Sequence, residues 1–359
     1  MNEPNKIKRG VDLELQIESL AYGGMGLARK DDFVIFVKGG IPGQKVNARI
    51  YKKKKGYAEA RVQHVITESP NAVEAPCDHF GTCGGCKTQN LSYDEQLNQK
   101  SNQVEDAFHR LGGFQDFKLD HIVGADPVFN YRNKMEFTFS PHRWVLDTEP
   151  EGVDRSFAVG LHIPGRYDKI LDINECHIQP TIGNKIMKVA REVCLAHPDL
   201  KPYDPKTHIG FLRFLMLRFG VNTNQIMVNL VTAYDDLNKL SPLIDALLEQ
   251  VPEITSMVNN VNTRKADVAF GEFETLVYGE PFIQENLGDL TFEISANSFF
   301  QTNTTQGKHL YDEVVKAAGL TGKEVVFDLY CGTGTIGLYL AKQAKEVYGF
   351  EVIRSALED

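Results

Sequence analysis

No apolar run in this chain approaches the roughly 18 residues that a membrane-crossing helix needs. The opening stretch, Met-Asn-Glu-Pro-Asn-Lys-Ile-Lys-Arg, has no apolar core of the kind a secretory signal carries. Internal repeats and low-complexity tracts are missing too, which excludes a repeat architecture. Cysteine is sparse, six in 359 residues. These absences lead to the expectation of a soluble, cytoplasmic protein with no membrane partner. In that compartment thiols point to metal or redox chemistry rather than disulfides.

What is present fits a chain of two or three domains with real cores, 42% of its residues being hydrophobic. The net charge of −9 does not by itself suggest nucleic acid. Its distribution does. Residues 1–68 carry 13 Lys/Arg against 8 Asp/Glu, and the remainder 26 against 40. A basic module on an acidic body suits an RNA-binding domain, and on charge alone it equally suits a solvated lysine-rich turn.

Within 11–68 short strands alternate with glycine turns: Val11–Glu18, the turn Tyr22-Gly-Gly-Met-Gly-Leu-Ala, Phe33–Val37, Lys45–Tyr51, the Lys52–Lys55 tip and Tyr57–Val65. That spacing predicts a small OB-like barrel, with the lysine tip meeting phosphates. After a linker at 68–76, helices are predicted over Tyr93–Leu111, around Ile186–Leu195, over Leu237–Gln250 and over 304–319. Strands are predicted over Tyr131–Ser140, Phe157–His162, Phe211–Phe219, Gln225–Thr232, 254–261, 274–278 and 290–294. Three domains follow: the barrel (1–68), a central α/β domain with the cysteine segment (69–290), and a Rossmann-like domain (291–359).

Three cysteines fall within ten residues, Cys77-Asp-His-Phe-Gly-Thr-Cys83-Gly-Gly-Cys86, and a fourth, Cys176, lies far along the chain. Glycines between thiols let the backbone fold tightly, and three clustered ligands plus a remote one suit an iron–sulfur cluster. The same four thiols could hold zinc tetrahedrally. His79, His162 and His177 flank them and read as neighbours rather than ligands. Cys194 sits in a helical pattern as a small buried residue.

At the other end, Glu324–Leu329 reads as a buried strand closed by Asp328-Leu-Tyr330, followed by Cys331-Gly-Thr-Gly334 and a helix. Gly332 and Gly334 let the backbone approach a ligand, and Glu351 stands 23 residues after Asp328, at the end of the next strand, where a carboxylate can bond ribose hydroxyls. A strand-terminal Asp before Cys-Gly-x-Gly is more typical of S-adenosylmethionine sites than of dinucleotide sites. Gln301 offers amide groups near this crevice, and it reads equally as a helix-start residue with Ser298 and Thr302 as local caps. Cys331 reads as a packing residue of the turn, not a nucleophile. Arg132 and Lys134 alternate with apolar residues along one strand, where they face either RNA phosphate, the reading preferred here, or simply water.

Taken in order, Tyr22-Gly-Gly-Met-Gly, the cysteine segment through Gln89, Tyr131-Arg-Asn-Lys134, Asp172-Ile-Asn-Glu-Cys176, Phe299-Phe-Gln301 and Asp328-Leu-Tyr-Cys-Gly-Thr-Gly334 resemble the iron–sulfur 5-methyluridine RNA methyltransferases, the bacterial 23S ribosomal RNA family with an N-terminal TRAM barrel. The resemblance covers essentially the whole chain. It implies a 4Fe-4S cluster on Cys77, Cys83, Cys86 and Cys176. It also implies S-adenosylmethionine contacts from Gln301, Tyr330 and Glu351, with Asp328, Gly332 and Gly334 shaping the turn. Ribosomal RNA is the implied partner, and no obligate protein partner is inferred.

In that family a thiolate adds to uracil C6, C5 attacks the methyl sulfonium, and a base then removes the C5 proton. The target base leaves its stack, most readily in a loop or junction. Family members carry the nucleophile and base beyond the point reached at Asp359, so the expectation is a chain truncated inside the second helix of an incomplete methyltransferase domain, inactive alone. Radical S-adenosylmethionine enzymes need a tighter Cys-x3-Cys-x2-Cys triad. The alternative to an enzyme is a non-catalytic iron–sulfur or zinc-containing RNA-binding module.

Overall fold

Alternation of small aliphatic and polar residues builds the N-terminal sheet. Its strands are β1 (Asp12–Gln16), β2 (Ser19–Leu20), β3 (Gly26–Lys30), β4 (Phe33–Lys38), β5 (Lys45–Lys53) and β6 (Tyr57–Thr67), in the order β1-β5-β6-β4-β3-β2. All neighbours are antiparallel except β4 and β6. One face of each strand points inward, so Leu13, Leu15, Ile17, Ile35, Val46 and Ile50 share a single core. Each such burial stabilises by about 1.5–3 kcal/mol. Bulges between Lys45 and Val46, Asn47 and Ala48, and Ile50 and Lys52 bend β5 across β6.

The computed structural model describes residues 7–266, 268–354 and 357. It falls into two compact units, Met1–Gly124 and Ala125–Asp359. The cysteine segment at 77–86 and helix α1 (Tyr93–Asp106) fall in the first unit with the sheet. The expected helix over Tyr93–Leu111 is present, but its last turn, Ala107–Leu111, widens to π geometry before Gly112. Helix α1 docks on the edge strand β2. Gln99 accepts from the Leu20 N–H at 2.8 Å, and Gln103 donates to the Leu20 carbonyl at 2.9 Å. These two bonds occupy main-chain groups that an edge strand would otherwise leave open.

The second unit is built on an eight-stranded sheet. Its strands are β7 (Lys134–Ser140), β8 (Arg143–Trp144), β9 (Ala158–Ile163), β10 (Arg166–Asp172), β11 (Leu212–Gly220), β12 (Gln225–Thr232), β13 (Ser256–Val261) and β14 (Phe273–Gly279), ordered β14-β13-β12-β11-β7-β9-β10-β8. Strand β11 is buried along its whole length, which explains its near-continuous apolar sequence. Helices α2 (Thr181–Ala196) and α3 (Leu237–Gln250) pack against each other. Helix α3 tolerates Pro242 because Ser241 Oγ donates to the Asn238 carbonyl, at 2.9 Å, that a prolyl nitrogen cannot reach. Asp236 caps the same helix through the Lys239 N–H.

A hairpin of β15 (Phe282–Leu287) and β16 (Leu290–Ser295) follows. Ile283, Leu287, Phe292 and Ile294 pack on Met227 and Val258 of the central sheet and on Phe300 and Tyr311. Then come α4 (Thr304–Ala318), β17 (Val325–Leu329), α5 (Thr335–Ala341) and β18 (Glu346–Phe350). β17 and β18 pair in parallel around α5, the start of a Rossmann-like βαβ unit. Their apolar side chains Phe327, Leu329 and Phe350 are more than half exposed. The helix expected after Glu351 falls on residues that lie largely outside the described ones. No helix among the described residues is long and apolar enough to cross a membrane.

Candidate functional site

The glycine turn between β17 and α5 is held by two carboxylates. Asp328, within β17, accepts the Gly337 N–H at 2.9 Å through Oδ2. Glu351, just past β18, accepts the Gly332 N–H at 3.0 Å and the N–H groups of Val352 and Ile353 at 2.7 and 2.8 Å. The N–H groups of Ile353 and Gly332 hold its carboxyl below the usual carboxylate range. A carboxylate has about four acceptor positions. Three are used, so Glu351 keeps capacity for a ligand hydroxyl. Gly332 and Gly334 take φ of +57° and +73°, and Tyr330 takes +62°, with its ring 87% exposed. Left-handed backbone at three of five positions lets the chain reverse sharply between β17 and α5, with Tyr330 exposed on the turn. The structure thus brings Asp328, Tyr330, Gly332, Gly334 and Glu351 together.

Cys331 points the other way. Its Sγ lies where a Cβ on Gly349 would approach to 2.9 Å, so it fills the space beside β18. Burial, with Asp328 and Glu351 nearby, pushes its thiol up. Cys194, by contrast, is buried on α2, its thiol pushed up to about 12 by burial.

Gln301 reaches the turn through a residue that sequence reasoning missed. Tyr311, buried on α4, shares its hydroxyl with the side chains of Gln301 and Thr335. It thereby ties Gln301 to the first residue of α5. The helix is capped by Asn303, whose side chain accepts the Gln306 N–H at 3.0 Å, in place of the expected Thr302 or Ser298. Ser298 instead bonds Ser295.

A buried polar chain fixes the main chain at Gln301. Asn133 Nδ2 donates to the Gln301 carbonyl at 2.8 Å and to Thr304 Oγ1 at 2.9 Å. Thr304 Oγ1 donates to Glu285 at 2.9 Å. Glu285, fully buried, also accepts the N–H groups of Val221, Asn222 and Asn286. Arg218, buried on β11, donates to the carbonyls of Ala296 and Ser298 just upstream. Asn133 belongs to the Tyr131–Lys134 segment that the sequence singles out. Glu285 gives no sequence signal, because an acid in a strand reads as solvent-facing.

Lys134 does not stand free for phosphate. It pairs with Glu136 at 2.6 Å and lies mostly out of solvent, which lowers its affinity for a proton. The Nε of Arg132 donates to the Lys134 carbonyl at 3.0 Å.

The cysteine loop has the donor chemistry of a thiolate metal site. Main-chain N–H groups of His79 and Phe80 bond the Cys77 sulfur, and the Gly85 N–H bonds Cys83 Sγ at 3.3 Å. Such N–H groups stabilise charge on sulfur. Burial pushes both thiols up, with the other cysteines of the loop close enough to add to the effect. Among the described residues no three His, Cys, Asp or Glu side chains converge tightly enough to hold a metal ion. The fit therefore rests on the donors, not on a closed geometry. Cys176 belongs to the second unit; its N–H donates to Asn184 Oδ1 at 2.9 Å.

The TRAM domain family matches residues 6–63. An uncharacterised RNA methyltransferase of Chlorobaculum tepidum is 40% identical over 361 residues, spanning 99% of this chain and 74% of the relative. One from Porphyromonas gingivalis is 40% identical, spanning 96% and 76%. The crystal structure of Pyrococcus abyssi tRNA (uracil-54, C5)-methyltransferase in complex with S-adenosyl-L-homocysteine superposes with a TM-score of 0.71 at 28% identity. That match covers 96% of this chain and 74% of that one.

Proposed function

The chain belongs to the RNA methyltransferases, and from that premise we propose that it serves S-adenosylmethionine-dependent methylation of uracil C5 in RNA. The observation that carries the reading is the left-handed turn 330–334, bracketed by Asp328 and Glu351. The turn lies in a chain similar to a uracil-C5 enzyme whose structure holds S-adenosyl-L-homocysteine.

The bound cofactor supplies a methyl group on a sulfonium, a strong electrophile. The chain's own residues bind and orient it. Glu351, ionised and held by three N–H groups, accepts from ribose hydroxyls. Tyr330 offers an exposed aromatic face, and Gln301 an amide held by Tyr311. Uracil C5 is a weak nucleophile until a thiolate adds to C6. We read Cys331 as a packing residue rather than that thiolate, because its sulfur lies beside Gly349 and its thiol is pushed up.

Ribosomal RNA is the substrate we propose, because an N-terminal TRAM domain and a cysteine loop accompany the ribosomal branch that the sequence resembles. Transfer RNA is the second reading, carried by the similarity to the archaeal transfer-RNA enzyme. Cys77, Cys83, Cys86 and Cys176 are proposed as ligands of a 4Fe-4S cluster. Its role is to fix the RNA-binding part of the fold, and the protein is proposed to work in the cytoplasm.

Release of tritium from RNA carrying [5-³H]uridine reports C5 substitution directly. Release from ribosomal but not transfer RNA supports the reading; the reverse favours the second. S-adenosyl-L-homocysteine binding without any methylated RNA, from either source, leaves the non-catalytic RNA-binding alternative. Iron content with visible absorbance distinguishes the cluster from zinc.

A further inference from the structure

Lys38 closes strand β4 and pairs in register with Arg61 on β6, which puts their side chains on the same side of the sheet. Lys87, the residue after Cys86, stands against the Gly24 turn: a Cβ built on Gly24 would lie 2.7 Å from the Lys87 Cβ, and Gly24 itself has φ of +86°. Arg61 and Lys87 are exposed and Lys38 is half-buried. Gly26 lies opposite Val37 across β3 and β4, which brings the Gly24 turn and Lys87 to the end of β4 that carries Lys38. Partial burial pushes the Lys38 ammonium down, and Arg61 and Lys87 push it further.

Four other cations of the sheet are neutralised, whereas Lys30, Lys53, Lys54 and Lys55 meet no carboxylate among the described residues. Lys45 meets Glu14, Arg49 meets Asp12, Arg29 meets Glu18, and Lys52 at the hairpin tip meets Glu59 at 2.5 Å. Among the described residues, no carboxylate pairs with Lys38, Arg61 or Lys87. Like charges gathered without a counter-charge are unfavourable until an anion arrives. Two residues before Gly24, on the same turn, Tyr22 is 95% exposed. Cations beside an exposed aromatic are the pattern that binds single-stranded nucleic acid, phosphates on the charges and a base on the ring.

We propose that Lys38, Arg61 and Lys87 form the phosphate-binding subsite of the N-terminal unit for single-stranded RNA, with Tyr22 as a base-stacking platform. This moves the RNA contact away from the Lys52–Lys55 tip that the sequence suggests. It rests on the RNA-binding reading above. It also supplies a physical link between the cysteine loop and RNA affinity, because the backbone that presents Cys86 also presents Lys87.

The test is binding of a fluorescently labelled short oligouridylate to the full chain across a salt series. Each phosphate contact to a single strand contributes about 0.7 to the slope of log affinity against log salt. The triple variant Lys38→Gln, Arg61→Gln, Lys87→Gln is expected to flatten the slope by about 2. That corresponds to affinity about 100-fold lower near 0.1 M salt and a gap that closes near 1 M. Changing Lys52, Lys54 and Lys55 to Gln should change it far less. If the triple variant loses its native unfolding transition, the two exposed positions alone, Arg61→Gln with Lys87→Gln, should flatten the slope by about 1.4. An unchanged slope in a folded patch variant, or a larger loss from the tip variant, overturns the subsite. Failure of the parent chain to bind the oligonucleotide sinks the RNA-binding reading itself, and the subsite with it.

Discussion

Replacing Glu285 by Gln tests whether the buried polar chain behind Gln301 is structural. The carboxylate accepts four hydrogen bonds, from the N–H groups of Val221 (2.7 Å), Asn222 and Asn286 (2.9 Å each) and from Thr304 Oγ1 (2.9 Å). Two fall on each oxygen. An amide keeps one acceptor oxygen and turns an NH2 toward the other pair of donors. Facing Val221 and Thr304, it leaves the Val221 N–H unpaired and forces the Thr304 hydroxyl to turn and accept. Hydrogen bonds to charged groups are worth about 1.5–3 kcal/mol, and a stranded buried donor costs about 1–3 kcal/mol. Because the Thr304 hydroxyl recovers part of its bond, the expected net destabilisation is about 3 kcal/mol, roughly 100-fold in the folding equilibrium. The single tryptophan, Trp144, lies on β8 of the same unit and reports its unfolding by fluorescence. With a urea dependence of about 2–3 kcal/mol per molar, the midpoint should fall by about 1 M. Glu293→Gln, exposed on β16 of the same hairpin, is the control and should shift stability by no more than about 0.5 kcal/mol. A Glu285→Gln loss below about 1 kcal/mol, with the control unchanged, would refute the reasoning by showing that the donors find other partners.

Further expectations follow from the same geometry. Glu351→Gln should weaken S-adenosyl-L-homocysteine binding about 10- to 100-fold in calorimetry, through loss of charge-assisted bonds. Because the folded carboxyl titrates below its ordinary value of 4.5, its contribution is present at neutral pH and lost only as pH falls through that lower value. A loss of affinity already at about pH 6 that Glu351→Gln abolishes would contradict this assignment. Tyr311→Phe removes the hydroxyl shared by Gln301 and Thr335 and should weaken the same ligand by about 1 kcal/mol, near fivefold, while leaving the fold intact by circular dichroism. Cys194 should resist iodoacetamide at pH 8 in the native protein and react once it is unfolded, as mass spectrometry of labelled peptides would report.

Glycine placement and hydrophobic period made much of this molecule legible. The glycine turn 330–334, α3 and the β11–β12 hairpin around Asn222 all lie where their residues indicate. Of the strands that escaped, β3 begins inside the glycine-rich turn, and two others carry chemistry that argues against burial. β15, Phe-Ile-Gln-Glu-Asn-Leu, hides a carboxylate inside, and β10 is rich in charge at its exposed end. β8 spans two residues, and β2 is a two-residue edge held by glutamines from a helix some eighty residues away. The site was readable as a set of turn residues but not as a supported one. Tyr311, Glu285 and Thr304 act through contacts that only the fold creates. Lys134 reads as a phosphate ligand on strand pattern, and it is engaged with Glu136 instead.

The two buried arginines of β11 carry a consequence for how such a protein can diversify. Arg213 donates to the carbonyls of Asn262, Arg264 and Ala266, and Arg218 to those of Ala296 and Ser298. Both guanidinium groups grip the main chain, which every amino acid shares. The exposed side chains at Arg264 and Ala266 can therefore be exchanged while the carbonyls that Arg213 holds stay in place. A scaffold of this kind separates the shape of a loop from its chemistry. Libraries varied at those positions should yield folded proteins with altered surface preference, whereas Arg213→Met or Arg218→Met should release the loop whatever its sequence.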